Sequence, residues 1–321
     1  MSEFDVVIIG GGAAGLSAAL VLGRARRRVA VVDAGNPRNA PAAHMQGFLG
    51  SDGLPPRELL AAGRAEVTGY GVELIAGTAT AIAAAPRAAS DPGFQVRLTD
   101  GVTLSARRIL VTTGLRDEIP DLPGARERWG RDLLHCPYCH GYEVRDQRLA
   151  VLGASPEAIT HALLVRQWSP DLILFSDAGT VTAAQREQLA ARGIVVRDEP
   201  VTGLVVKDDR LSGVALASGA VVERDAVFVR PRFVANDTLL TDLGCALAPT
   251  GWVATDPAGA TSVSGVWAAG NAANPRAQVI TAAGEGSAAA IAINNDLSEE
   301  DTRRAVGSFR LGLPLSRSKE K

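Results

Sequence analysis

The sequence predicts an α/β protein of two nucleotide-binding units, each a parallel sheet covered by further layers. Three observations carry that prediction. A β-branched apolar run, Asp5 to Ile9, enters Gly10-Gly11-Gly12-Ala13-Ala14-Gly15 directly and continues with helical apolar spacing. A second strand, turn, helix and strand follow from Leu149 to Phe175. The chain has 321 residues, and at roughly 150 residues per domain that leaves room for two cores.

Taken in order, the first strand and glycine turn lead into a helix over Leu16 to Gly23, and Arg28 to Val32 is a second strand ending at Asp33. Gly10-x-Gly12-x-x-Gly15 placed between a strand and a helix reads as a dinucleotide site. The glycines allow a tight turn, backbone approach to a pyrophosphate and close packing of helix on strand, while Asp33 can accept from a ribose hydroxyl. Short strands follow, among them Phe94 to Leu98 and Val102 to Leu104 around Asp100-Gly101. Ile109 to Thr113 is a buried strand that stops at Gly114, and Pro120 with Pro123-Gly124 reads as a linker. Leu149 to Leu152 opens the second unit, a helix runs to near Trp168, and Leu172 to Phe175 and Val227 to Val229 are further strands. Arg230-Pro231-Arg232 marks a second linker. The last segment offers a strand at Val266 to Ala268, a turn at Ala269-Gly270-Asn271, and an Ala-rich helix from about Val279 to Asn294. The tail 314–321, rich in Ser, Arg, Lys and Glu, reads as flexible.

Composition excludes several classes. With 33 basic and 35 acidic residues, net charge -2 and no dominant basic block, nucleic acid is not an expected partner. Glu3 and Asp5 precede the apolar stretch from Val6 to Gly23 and glycines break it, so it reads as neither a leader nor a span. A cytoplasmic protein is expected.

Chemistry concentrates in His135-Cys136-Pro137-Tyr138-Cys139-His140-Gly141. A Cys-x-x-Cys beside a nucleotide-binding unit reads as a redox dithiol. Zinc held by His135, Cys136, Cys139 and His140 is the competing reading, but adjacent His and Cys hardly converge on one tetrahedron, so no metal is expected. Pro137 suits a first helical position and places Cys136 at a helix start, where a thiolate is stabilised. His140 can take or release a proton at working pH; the alternative is a polar residue on the solvent side. His135 and His161 read as structural, and Cys245 as a small buried hydrophobe.

With these pieces in place the chain resembles the low-molecular-weight thioredoxin reductases over essentially its whole length. The order matches: the fingerprint at Gly10 to Gly15, the strand end Thr112-Thr113-Gly114, Cys-x-x-Cys opening an inserted domain, then the Gly270-Asn271 turn and Gln278-Val279-Ile280-Thr281-Ala282-Ala283-Gly284. The resemblance implies two Rossmann-like (three-layer ββα) domains, the second inserted in the first. The FAD-binding domain would comprise 1–116 and 233–313, and the NAD(P)-type domain carrying the Cys-x-x-Cys 117–232. It also implies a homodimer, with Cys139 nearer the flavin and Cys136 exchanging with substrate. Expected FAD-binding positions are Gly10, Gly12, Ala13, Ala14, Gly15, Asp33, Ala34, Arg38, Asn39, His44, Thr113, Gly114, Gly270, Asn271, Gln278 and Val279. Asn271 stands where the family has Asp, and its amide can still bond the ribityl chain.

Departures from the reductases point to a subgroup. The second fingerprint is degenerate, Gly153-Ala154-Ser155-Pro156-Glu157-Ala158, and Ser176-Asp177 stands where the family clamps the 2′-phosphate with basic residues, so NAD(P)H binding is doubtful. Cys136-Pro137-Tyr138-Cys139-His140-Gly141-Tyr142-Glu143 is similar to the signature of the dithiol oxidases that close disulfides in gliotoxin, holomycin and romidepsin. Asp33 to Asn39 and His44 share that likeness. This resemblance implies FAD-dependent oxidation of a small-molecule dithiol through Cys136 and Cys139, with His140 taking protons and oxygen the terminal acceptor. The alternatives are NAD(P)H-dependent reduction of a thioredoxin-like protein and a redox-sensing flavoprotein of low turnover.

Overall fold

The computed structural model describes residues 3–85 and 93–311. The tail expected to be flexible, 314–321, lies outside them. The chain falls into two compact units: Met1–Pro37, Arg57–Leu115 and Ala235–Lys321 form one, Arg38–Pro56 and Arg116–Val234 the other.

In the first unit the strand Glu3–Ile9 pairs in parallel with Val29–Asp33 on one side and Thr103–Val111 on the other. Being central, these strands bury both faces. Val7, Ile9, Val32 and Ile109 enter one core, and Val6, Ile8, Val31 and Leu110 the other, which is why the sequence shows continuous apolar runs rather than alternation. Glu73–Ala76 extends the sheet beyond Val29–Asp33, Val266–Ala268 joins beside Ile109 to Val111, and the antiparallel pair Ala79–Ala84 and Phe94–Leu98 completes it. The helices Ala13–Arg24 and Val279–Arg310 pack together over the second core.

Two expectations need correction here, for one reason. Val102 to Leu104 and Ile109 to Thr113 are not separate strands but belong largely to one, Thr103–Val111. The final helix continues past Asn294 to Arg310. Both polar interruptions are buried ion pairs. Arg107 and Arg108 are 7% and 1% exposed and meet Glu300, itself 0% exposed, at 2.9 and 2.8 Å. Charged residues that break an apolar pattern look like chain ends until their partners are seen.

The second unit has three layers. A parallel sheet runs in the order Val195–Arg197, Leu172–Phe175, Leu149–Leu152, Ala226–Val229, Leu133–Leu134. Leu149, Val151 and Phe228 face the helices Pro156–Val165 and Ala183–Ala191, while Ala150, Ile173 and Val227 face an antiparallel sheet of Val201–Lys207, Arg210–Leu216 and Val221–Glu223. The helix expected to end near Trp168 stops at Val165.

One boundary also needs correction. The segment 38–56 was expected within the first domain, yet it packs with the second unit. Arg38 makes a two-pronged ion pair with Asp117 at 2.8 and 2.7 Å and lies 5.1 Å over the Phe233 ring, and Pro41 closes against Gly130. The segment has no periodicity, and its partners lie far along the chain, so nothing local marks the attachment.

Candidate active site

The glycine turn of the first unit is built by close approach. Gly10 sits at φ 111° against the Thr112 carbonyl, and a Cβ on Gly15 would stand 1.9 Å from the Gly10 carbonyl oxygen. Gly12 differs from both. It caps the helix Ala13–Arg24 without any side-chain hydrogen bond, and a Cβ there would meet nothing within 4 Å. Backbone N–H groups at a helix start facing open space make an anion cradle, and this one suits a pyrophosphate. Ala13 and Ala14 form the first helical turn, and Gly270 is drawn in against Ala14, its Cβ position 3.0 Å away.

Asp33 ends its strand beside this turn. Arg64, on the helix Pro56–Gly69, donates to its carboxylate at 2.8 Å. Burial pushes the Asp33 carboxyl up, but Arg64 and the N–H groups of Gly35 and Gly11 outweigh it, so the carboxyl lies below its ordinary value. Sequence reading missed Arg64, because only the tertiary fold brings it to Asp33. Ala34 follows on the same chain. Thr113 and Gly114 are tied to Asn236: the Thr113 hydroxyl donates to the Asn236 carbonyl at 2.5 Å, and the Asn236 N–H to Gly114 at 3.0 Å.

At the other end of this unit Gly270 opens a short 3-10 turn, its N–H donating to Glu285 at 2.9 Å. Asn271 does not offer its amide hydrogens as expected. They donate to the carbonyls of Asn274 and Ala277 at 2.9 and 3.0 Å, bracing the turn. Gln278 caps the final helix and Val279 begins it. Arg38, Asn39 and His44 are carried by a different part of the chain. They belong to the second unit, where Arg38 is engaged with Asp117 and His44 is exposed.

In the second unit Cys136 and Cys139 form a disulfide. The helix expected after Cys136 is a single turn, Pro137–His140, in which the N–H groups of Cys139 and His140 both donate to the Cys136 carbonyl at 3.1 Å. Pro137 is buried at its first position, where a missing N–H costs nothing. Gly141 closes the turn because no side chain fits: a Cβ would stand 2.5 Å from the Pro137 carbonyl oxygen and 2.7 Å from the Trp168 ring. Burial holds His140 below the ordinary imidazole value, against the opposing charge of Glu143, so its ring is neutral at neutral pH. His135 and His161, their rings 6.2 Å apart, are both pushed down to about 4 by burial. Among the described residues no group of three or more His, Cys, Asp or Glu is placed to hold a metal ion.

The second helix start differs from the first. Ser155 caps it, its oxygen accepting from the Ala158 N–H at 3.3 Å, Pro156 removes one donor, and the Glu157 carboxylate accepts from the Ser155 hydroxyl and its own N–H. A cavity of about 320 Å³ beside it is lined by Gly153, Ala154, Asp121, Asp177, Glu199 and Arg230, among others. Phosphates entering there would find the end of the helix already capped and three carboxylates against one guanidinium. These residues do not fit a pyridine nucleotide.

Residues 4–286 match the family model described as pyridine nucleotide-disulphide oxidoreductase. A curated relative, thioredoxin reductase sirT of Leptosphaeria maculans, is 32% identical over 91% of this chain and 94% of its own. Among solved structures, HlmI is 57% identical with TM-score 0.94, covering 96% of this chain and 97% of that one. A putative thioredoxin reductase TrxB from Bacillus anthracis is 33% identical with TM-score 0.87, covering 93% and 99%. Among the described residues no helix is long and apolar enough to cross a membrane.

Proposed function

This chain belongs to the pyridine nucleotide-disulphide oxidoreductase family, and from that premise we propose that it oxidises a small-molecule dithiol to an intramolecular disulfide through Cys136 and Cys139. The enzyme is an FAD-dependent thiol-disulfide oxidoreductase. One observation carries the direction of the reaction: the second unit's helix start is capped by Ser155 and Glu157 and faces carboxylates. A helix start so capped and surrounded disfavours a nicotinamide donor, which supports entry of electrons from the thiol side.

The open cradle at Gly12 fits FAD. Gly10, Gly12 and Gly15, with the first N–H groups of Ala13–Arg24, would hold its pyrophosphate, and Asp33, oriented by Arg64, a ribose hydroxyl. Held there, FAD would supply the two-electron acceptor for the reduced Cys136–Cys139 pair, with oxygen as the terminal oxidant of this reading.

This chain's residues do the rest. A substrate thiolate attacks the sulfur of Cys136, the Cys136–Cys139 bond breaks, and the second substrate thiol displaces Cys136 to close the product ring. The neutral His140 accepts a thiol proton on a ring nitrogen, and its lowered affinity for that proton lets it pass the proton on. The relatives' names favour a second reading, NAD(P)H-dependent reduction of a protein disulfide. Oxygen uptake with a panel of small dithiols, lost in Cys136→Ser, supports the first. Rapid anaerobic bleaching of the flavin by NADH or NADPH would overturn it.

A further inference from the structure

Aromatic residues are scarce, 4% of the chain with only three tyrosines, yet two of the three, Tyr138 and Tyr142, flank Cys139. Both are 65% exposed. Their surroundings differ. The Arg145 guanidinium lies 3.9 Å over the Tyr142 ring and donates to the Tyr142 carbonyl, so a cation already occupies one face. Tyr138 meets Trp168 at right angles, ring centroids 5.7 Å apart. That contact orients the phenol and leaves most of it open to solvent.

The platform is rigid. Trp168 is pinned by its own N–H to Val165 and by its carbonyl accepting from Asp146 at 2.9 Å, and its ring seats against Gly141. The turn carrying Tyr138 is held by two N–H groups on the Cys136 carbonyl. An open aromatic face thus keeps a set position on the short turn that joins Cys136 to Cys139, and a ligand that stacks on it has little side-chain freedom to freeze.

Resting on the dithiol-oxidase reading above, we infer that Tyr138 determines specificity: its ring, oriented by Trp168, takes the planar unsaturated face of a small dithiol as that dithiol exchanges with the Cys136–Cys139 disulfide. The exchange balances without another reactant. The substrate's two S–H bonds give one S–S bond, the protein's S–S bond is cleaved, the electron pair stays on the two cysteines, and the two protons are shared between the cysteines and the neutral His140 ring. The phenol adds no charge, so selection rests on ring shape and stacking.

The test compares two dithiols that close six-membered disulfide rings, 1,2-benzenedimethanethiol and dithiothreitol, with FAD-loaded enzyme and oxygen uptake as readout. The wild-type KM should be about tenfold lower for the aromatic dithiol, a difference of the size stacking supplies. Tyr138→Ala should bring the KM ratio close to one, and Tyr138→Phe should keep it, with flavin absorbance confirming that each variant is loaded. Equal wild-type KM values overturn the inference and leave the dithiol-oxidase reading standing. So does a Tyr138→Ala variant that lowers kcat for both dithiols at an unchanged ratio, or one that raises KM only for reduced thioredoxin. If the wild type oxidises neither dithiol, the dithiol-oxidase reading fails and this inference with it.

Discussion

A Cβ placed on Gly15 would stand 1.9 Å from the carbonyl oxygen of Gly10, whereas one placed on Gly12 would touch nothing. The two glycines therefore do different work. Gly15→Ala must push strand and helix apart, and it should yield destabilised, colourless protein. Gly12→Ala should fold with stability within about 1 kcal/mol of wild type, since it adds no clash and removes glycine's chain entropy. It fills the space where the pyrophosphate would lie, so flavin content, read from visible absorbance against protein, should drop by at least about tenfold in affinity. Full flavin binding by Gly12→Ala would refute that division.

Glu300 is fully buried and carries three arginine partners, Arg107, Arg108 and Arg304, at 2.9, 2.8 and 2.9 Å. Removing one side of a buried ion network strands the other. Glu300→Ala should cost about 3–5 kcal/mol, read as a lower urea midpoint, and Glu300→Gln less, because it keeps hydrogen-bond acceptance.

His161 is 5% exposed, its ring set at right angles to Phe228 with centroids 6.0 Å apart. Burial, with the nearby His135 ring and Arg230 adding to it, pushes its titration down to about 4, and burial does the same to His135. An unfolded histidine titrates near ~6.5. Between these values the unfolded chain binds protons that the folded chain refuses, so stability is full above about pH 6.5 and falls as pH drops toward 4. Each ring contributes on the order of 3 kcal/mol to that loss. Urea midpoints at pH 7.5 and 4.5 should lie closer together in His161→Leu than in the wild type; an unchanged acid slope would count against it.

Gly141 has no room for a side chain between the Pro137 carbonyl and Trp168. Gly141→Ala should displace the redox turn and lower dithiol turnover by at least about tenfold. Flavin content should be unchanged, since the glycine cradle lies in the other unit. Loss of flavin together with activity would mean that the variant unfolds instead.

Local chemistry made much of this protein legible in its sequence. Asp5 to Ile9 running into Gly10 names a strand and a turn because apolar periodicity and glycine's conformational freedom act within a few residues. Cys136, Pro137, Cys139 and His140 name a redox turn for the same reason. Ser155 and Asp177 already marked the second nucleotide unit as degenerate, and the structure shows how: the hydroxyl caps the helix start and the carboxylate lines the cavity.

Tertiary structure alone decided what depends on partners far along the chain. Arg64 reaches Asp33, Arg38 turns to Asp117 and Phe233, Asn271 spends its amide on Asn274 and Ala277, and Glu300 joins Arg107 and Arg108 into a buried network. An arginine is flexible and always charged, so its type says that it will find an anion but not which one. A turn glycine or a Cys-x-x-Cys carries its constraint in its own covalent geometry. An ion pair exists only once the fold has brought its two halves together.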